Sequence, residues 1–238
     1  MIDIHSHILP QMDDGSQSVQ ESLVLLDMLF AQGVKAVVAT PHFLANKESV
    51  DGFLHRREEA YSKLKGGLSP ATPKILFGAE VAYYPGIKNL ENLDKLKISG
   101  SDLLLLEMPF SKWSKQAFKE LIELATTKEN MTILLAHIER YMDFVSEEQW
   151  DILRNYGILF QVNASFFLKW KTKRKAIQML KRNQIHVIGS DCHNIKFRPP
   201  KMDLALHVIE KKLDPNAILN LEQNINTHFH DVKVPSSL

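Results

Sequence analysis

Two hydrophobic periods take turns along this chain. Short β-branched runs predict strands near Ile2–His5, Lys35–Thr40, Lys74–Gly78, Asp102–Leu106, Met131–Ala136, Leu159–Asn163 and His186–Gly189. Between them the apolar positions widen to helical spacing. Residues 17–32 carry Leu23, Leu26, Met28, Leu29 and Phe30 on such a stripe, and Gly33 follows where a helix end favours glycine. Amphipathic segments recur at Ser49–Leu64, Ser114–Thr127, Glu147–Asn155, Thr172–Asn183 and Met202–Lys212. Gly66–Pro73 reads as a loop, and residues from about 230 to 238 as a frayed tail. Strands alternating with helices favour a parallel sheet. Seven such units in one domain of 238 residues predict a closed or nearly closed α/β barrel, with an open doubly wound sheet as the alternative.

Composition narrows the class. A hydrophobic fraction of 45% and a charged fraction of 24% are those of an ordinary globular protein. Cys192 is the only cysteine, so no internal disulfide is available. The net charge of +1 argues against a dedicated nucleic-acid binder. No apolar stretch approaches the ~18 residues of a membrane span, and no signal segment is recognisable, so a cytoplasmic protein without membrane insertion is expected. Nothing in the pattern calls for an obligate oligomer. One basic run stands out: Lys169, Lys171, Lys173, Arg174, Lys175, Lys181 and Arg182 fall in fourteen residues without an acid. A solvated helix face explains it plainly; a docking surface for an acidic or phosphorylated partner is the functional reading.

The polar residues are more informative. Every predicted strand but Leu159–Asn163 ends in an ionisable side chain able to bind a metal: His5 and His7, then His42, Glu80, Glu107, His137, and finally Asp191 and His193. In a (β/α) barrel these ends share one face, which carries the active site. Asp14, in the loop after the first strand, can join them. His5 and His7 are two apart, so on an extended strand both point to one side and can grip one ion. Asp3 shares that side and is expected to orient an imidazole from behind. A lone His-x-His is weak evidence, but half of the ten histidines take this placement together. His228 and His230 form another such pair, set aside because they fall near the expected tail. Imidazole with carboxylate, and no thiolate cluster, suits Mn, Fe or Zn.

These residues carry a family resemblance. Met1 to His7, Thr40-Pro41-His42, Gly78-Ala79-Glu80, Ala136 to Arg140 and Ser190 to Asn194 resemble motifs of the PHP (polymerase and histidinol phosphatase) superfamily. Asp13-Asp14-Gly15, and Glu107 before Met108-Pro109-Phe110, make the chain similar to the metal-dependent tyrosine-protein phosphatases of bacterial capsule and exopolysaccharide operons. The resemblance implies a distorted (β/α)7 barrel holding three divalent ions, Mn2+ foremost, with Fe or Zn as alternatives. It implies His5, His7, Glu80 and Asp191 around one ion, and Glu80 bridging to a second held by Glu107 and His137. Asp14, His42 and His193 would hold the third. Arg140 and Arg198 match positions that clamp phosphate. The implied substrate is the phosphotyrosine-bearing tail of a bacterial tyrosine kinase. A histidinol-phosphate phosphatase, or a catalytically silent binding module, would share the same barrel.

Metal chemistry fits a phosphate dianion, because divalent ions neutralise it and generate hydroxide near neutral pH. A second phosphatase pattern is also present. Cys192 and Arg198 have the C-x5-R spacing of cysteine-dependent tyrosine phosphatases. That chemistry needs loop amides cradling the phosphate ahead of a helix, whereas Pro199-Pro200 follow here and metal-ligating residues flank the thiol. The cysteine route is therefore expected to be unused.

Overall fold

The computed structural model describes residues 1–214 and 216–230. Its strands are β1 (Ile2–Ser6), β2 (Ala36–Ala39), β3 (His42–Phe43), β4 (Lys74–Phe77), β5 (Glu80–Ala82), β6 (Leu103–Glu107), β7 (Thr132–Leu135), β8 (Leu159–Asn163) and β9 (Val187–Gly189). The helices are α1 (Val19–Ala31), α2 (Val50–Leu64), α3 (Lys115–Thr127), α4 (Glu147–Asn155), α5 (Trp170–Lys181), α6 (Met202–Lys212) and α7 (Asn216–Asn226). All strand pairs are parallel.

Nine strands make seven staves. β2 pairs with β4 at Ala36 and Lys74, and β3 pairs with β5 at His42 and Glu80, with the same register offset. β2 with β3, and β4 with β5, are thus each one strand interrupted by two residues. The order runs β1, β2/β3, β4/β5, β6, β7, β8, β9. The ring then closes on itself: the Asp191 amide donates to the His5 carbonyl and the His7 amide to the Cys192 carbonyl, both at 2.9 Å. The result is a distorted (β/α)7 barrel, as expected, and the open sheet is excluded.

Strand alternation sorts the core into two layers. Ile4, Val38, Leu103, Leu105, Leu134, Ala136 and Val187 pack together inside the ring, and Ile225 of α7 joins them. The alternate residues, among them Val37, Leu104, Leu106, Ile133, Phe160 and Val162, pack outward under the helices. Serines set the starts of four helices. Ser18, Ser49, Ser114 and Ser146 each accept a backbone amide of the first turn, and Ser146 completes a capping box with Gln149.

Three features depart from the sequence reading. α5 begins at Trp170, two residues before the expected start, and α7 was not expected at all. The tail is anchored at least through residue 230, because the His230 amide donates to Gly100 and Phe229 bridges to Ser101. Residues 231–238 of the expected frayed segment lie outside the described residues. No helix among the described residues is long and apolar enough to cross a membrane.

Candidate active site

The C-terminal ends of the staves converge as the sequence pattern requires. Glu80, at the start of β5, lies at the centre and is almost wholly buried. Its Oε2 is 3.2 Å from the Nε2 atoms of His5 and His7 and 3.1 Å from Nδ1 of His42. Its Oε1 is 2.8 Å from Nε2 of His137, which also lies 3.2 Å from Glu107. Asp14, 68% exposed at the rim, is 3.5 Å from both His42 and His193. Asp191 faces His5, His7 and His193 through Oδ1 at 3.5–3.7 Å.

Backbone conformation aims two of these groups. His137 and Asp191 both have left-handed backbone, with φ of 32° and 51°. Non-glycine residues seldom adopt it, and such strain gathers at functional sites. In β1 the register shifts between Asp3 and Ser6, which breaks the simple alternation there. Two glycines allow close approach. A Cβ on Gly15 would stand 2.4 Å from the His7 Cβ, and one on Gly189 2.7 Å from the His5 Cβ.

The donor set meets a cation's requirements. The Nε2 atoms of His5 and His7 lie 3.2 Å apart and each is 3.2 Å from Glu80 Oε2, so three ligand atoms converge on one point. The Nε2 atom of His193 is buried and has no hydrogen-bond partner among the described residues. Ligand atoms of His7, Asp14, His42 and His193 lie within 4.8 Å of one another, as do those of His5, His7 and Glu80, and those of His42, Glu80 and Glu107. His42 thus reaches Glu80 as well as Asp14 and His193, and His7 borders two groups where the sequence reading placed it in one.

Charge follows the same geometry. Burial opposes charge on both members of the His7–Glu80 pair. Even so, hydrogen bonds to Asp13 and Glu80 push His7 up to about 10. His5, His137 and His7 hold Glu80 well below the usual carboxylate range. Burial, aided by the charge on His7, brings His193 down to about 4. Burial alone raises Glu139 to about 7, and its Oε2 has no hydrogen-bond partner among the described residues.

The arginines meet on a single atom. Nη2 of Arg140 and Nη2 of Arg198 each lie 2.7 Å from Oδ2 of Asp191. Asn163 donates to the same oxygen at 2.7 Å. Two guanidinium groups drawn to one point at a barrel mouth form a fork suited to a tetrahedral oxyanion. Phe110, 51% exposed, stacks on Tyr141 and lies under the Arg140 guanidinium.

The cysteine pattern fails on geometry. Cys192 is fully buried, and burial, with Asp3 nearby, pushes its thiol well above its ordinary value. The amides of Lys196, Phe197 and Arg198 all donate to Oδ1 of Asn194. The loop's own side chain therefore occupies the donors that a phosphate would need.

Two orienting residues escaped the sequence reading. Asp13 accepts from Nδ1 of His7 at 2.7 Å, from the His42 amide at 2.8 Å and from the Gly15 amide at 2.9 Å. Gln161 takes Nδ1 of His5 at 3.2 Å and the His137 amide at 2.6 Å. Each fixes a ring so that Nε2 points into the cluster. Asp3, expected in that role, binds the backbone amides of Ser190 and His5 instead, because the irregularity in β1 takes it out of step with His5. Gln161 did carry a signal, since it is a polar residue in the middle of an otherwise apolar run.

A seven-stave barrel whose mouth gathers imidazoles, carboxylates and a double-arginine fork has the groups to take divalent cations and a phosphate together. The family model described as "Capsular polysaccharide synthesis, CpsB/CapC" matches residues 1–227, and the chain belongs to that family. It is 34% identical over 230 residues to tyrosine-protein phosphatase CpsB of Streptococcus pneumoniae, covering 89% of this chain and 90% of that protein. It is 28% identical over 236 residues to tyrosine-protein phosphatase YwqE of Bacillus subtilis, covering 94% and 89%. Among solved structures, one chain from the crystal structures of YwqE from B. subtilis and CpsB from S. pneumoniae, described as unique metal-dependent tyrosine phosphatases, matches over 100% of this chain and 99% of its own. That match has a TM-score of 0.80 at 23% identity, which establishes the shared fold.

Proposed function

We propose that this protein is a metal-dependent protein-tyrosine phosphatase. In this reading it acts in the cytoplasm on the phosphotyrosine tail of a bacterial tyrosine kinase governing capsule or exopolysaccharide synthesis. The carrying observation is the convergence of Glu80 with His5, His7, His42 and His137 beside the double-arginine fork on Asp191. Membership of the CpsB/CapC family supports the substrate and the setting.

His5, His7, Glu80 and Asp191 would hold one divalent ion, Glu80, Glu107 and His137 a second, and Asp14, His42 and His193 a third, with Mn2+ the first candidate. When bound, such ions neutralise a phosphate dianion and acidify water for attack. The protein's own groups do the rest. Asp13 and Gln161 hold His7 and His5 in one tautomer. Arg140 and Arg198 bind the non-bridging oxygens through guanidinium donors not directed at Asp191. Phe110 offers an apolar face beside Arg140 for the phenyl ring of the substrate.

The test is side-by-side turnover of a phosphotyrosine peptide and histidinol phosphate with Mn2+, and again after chelation and dialysis. Preference for the peptide, lost on chelation and restored by metal, is the expected result. Preference for histidinol phosphate would overturn the substrate, and full activity without metal would overturn the mechanism.

A further inference from the structure

The basic run of α5 has no part in the site described so far, yet its first residues stand at the mouth. β8 ends at Asn163, a short turn spans Ala164–Phe167, and Lys169 caps the start of α5. A cavity of about 230 Å³ opens there, lined by Asn163, Ser165, Lys169, Phe197, Arg198 and Lys201 among others. It also touches Asp191, so it shares a wall with the arginine fork.

Its charge is uncompensated. Asp191, the one carboxylate in the lining, already serves Arg140, Arg198 and Asn163. Among the described residues, neither Lys169 nor Lys201 forms an ion pair. Lys88 and Lys119 do pair with Glu123, and Lys95 with Asp51, but those carboxylates lie elsewhere on the barrel. Beside the cavity, Phe197 is 87% exposed and Trp170 84% exposed, with Lys171 over the Trp170 ring. Exposed aromatics interleaved with unpaired cations form a surface for an anionic peptide rather than a solvated helix face.

Resting on the phosphatase reading, we infer that this cavity is a specificity subsite. While the phosphotyrosine occupies the fork, the subsite takes an anionic side chain of a flanking residue in the same peptide, with Lys169 and Lys201 as its cationic partners. A carboxylate and a second phosphate share the required chemistry.

The experiment uses the full chain loaded with Mn2+ and phosphotyrosine peptides with flanking Ala, flanking Glu, or a flanking non-hydrolysable phosphonomethyl-phenylalanine. Exposed ion pairs each contribute a factor of roughly 1.5 to 5, so with two lysines the anionic peptides should exceed the Ala peptide by about twofold to 25-fold in kcat/KM. The advantage should shrink with added salt. A Lys169→Ala/Lys201→Ala double variant should abolish it while turning over p-nitrophenyl phosphate within about twofold of the parent. Fluorescence anisotropy with a fully non-hydrolysable version of the Glu peptide should show weaker binding to the double variant. A larger gain from the phosphonate than from Glu would assign a second phosphate as the preferred occupant; an equal gain would assign a carboxylate. Equal kcat/KM for Ala- and Glu-flanked peptides in the parent, or a preference that survives the double substitution, overturns the subsite. Failure of the phosphatase reading is distinct: no phosphotyrosine peptide would be turned over, and the anisotropy comparison alone would decide the subsite.

Discussion

Asp13 lies behind the cluster rather than in it, and its replacement by Asn separates orientation from coordination. The carboxylate serves three donors with two oxygens: Oδ1 takes the Gly15 amide, and Oδ2 takes His7 Nδ1 and the His42 amide. An amide has one oxygen, so the Asn side chain must turn an NH2 toward a donor on one edge. Keeping its oxygen against His7 and His42 leaves the Gly15 amide unmatched, a cost of roughly 1–3 kcal/mol in a part-buried setting. The surviving bond to His7 also loses its charge, and charge-assisted bonds are about twice as strong as neutral ones. With a less basic imidazole, metal affinity should fall about 10- to 100-fold, the usual effect of removing such a support. Chelator-competition titration reads the affinity, and urea unfolding of metal-free protein reads the stability. The two should differ in pH dependence. His7 is raised from 6.5 to about 10 in the folded protein, so the stability it draws from Asp13 is fully present below pH 6.5 and fades as pH rises through about 10. Asp13 itself is held below its ordinary 3.8, so its contribution is lost in strong acid. The gap between parent and Asp13→Asn should thus be widest between about pH 4 and 6.5. Unchanged metal affinity together with a pH-independent stability gap would refute the argument.

Three other outcomes are expected. Arg140→Ala and Arg198→Ala should each lower kcat/KM on phosphotyrosine substrates by roughly 10- to 100-fold with metal content intact, and Arg→Lys should restore only part, for want of the bidentate fork; metal loss in either variant would recast that residue as scaffold. Cys192→Ser should keep most activity, since the thiol is buried and the loop amides are already engaged; a loss of several orders of magnitude in a folded, metal-loaded protein would revive the cysteine route. Burial, helped by the charges of Arg154 and His228, lowers His186 to about 4, so the folded protein binds fewer protons there than the unfolded chain between pH 6.5 and 4. Acidification through that window should cost about 2–3 kcal/mol that His186→Asn does not lose, because the Asn oxygen can still accept the Phe160 amide; parallel urea curves at pH 7 and 4.5 for both proteins would contradict this.

The barrel was legible because every stave but Leu159–Asn163 repeats one message, an apolar run that ends in a ligand type. The strand interruptions were not. β3 and β5 are only two and three residues long, too short for any periodicity to mark them off from β2 and β4. α7 was missed although Leu221 and Ile225 are buried, because its amide-rich sequence gives a sparse stripe. In the site, the residues at the strand ends were read from position alone. Asp13 was passed over beside Asp14, since nothing in a one-dimensional pattern says that one carboxylate of a pair supports His7 from behind while the other stands at the rim beside His42 and His193. His228 was set aside with the tail, yet its Nδ1 lies 2.9 Å from Asp102. Such long-range pairing has no local signature.

The seam between β1 and the segment after β9 ties the Ser190 amide to Asp3 across 187 positions of chain, and the groups flanking that seam are His5, His7, Asp191 and His193. During synthesis the first two imidazoles emerge with β1 and must wait for nearly the whole barrel before meeting Asp191 and His193. Contacts of such high order are slow to form, because loop closure is unfavourable until the last stave docks. An ion gripped from both sides of that join would act as a clasp, stabilising only the closed ring and slowing its opening. Catalytic competence and completion of the fold would then arrive as one event, and a nascent chain would have no phosphatase to misdirect.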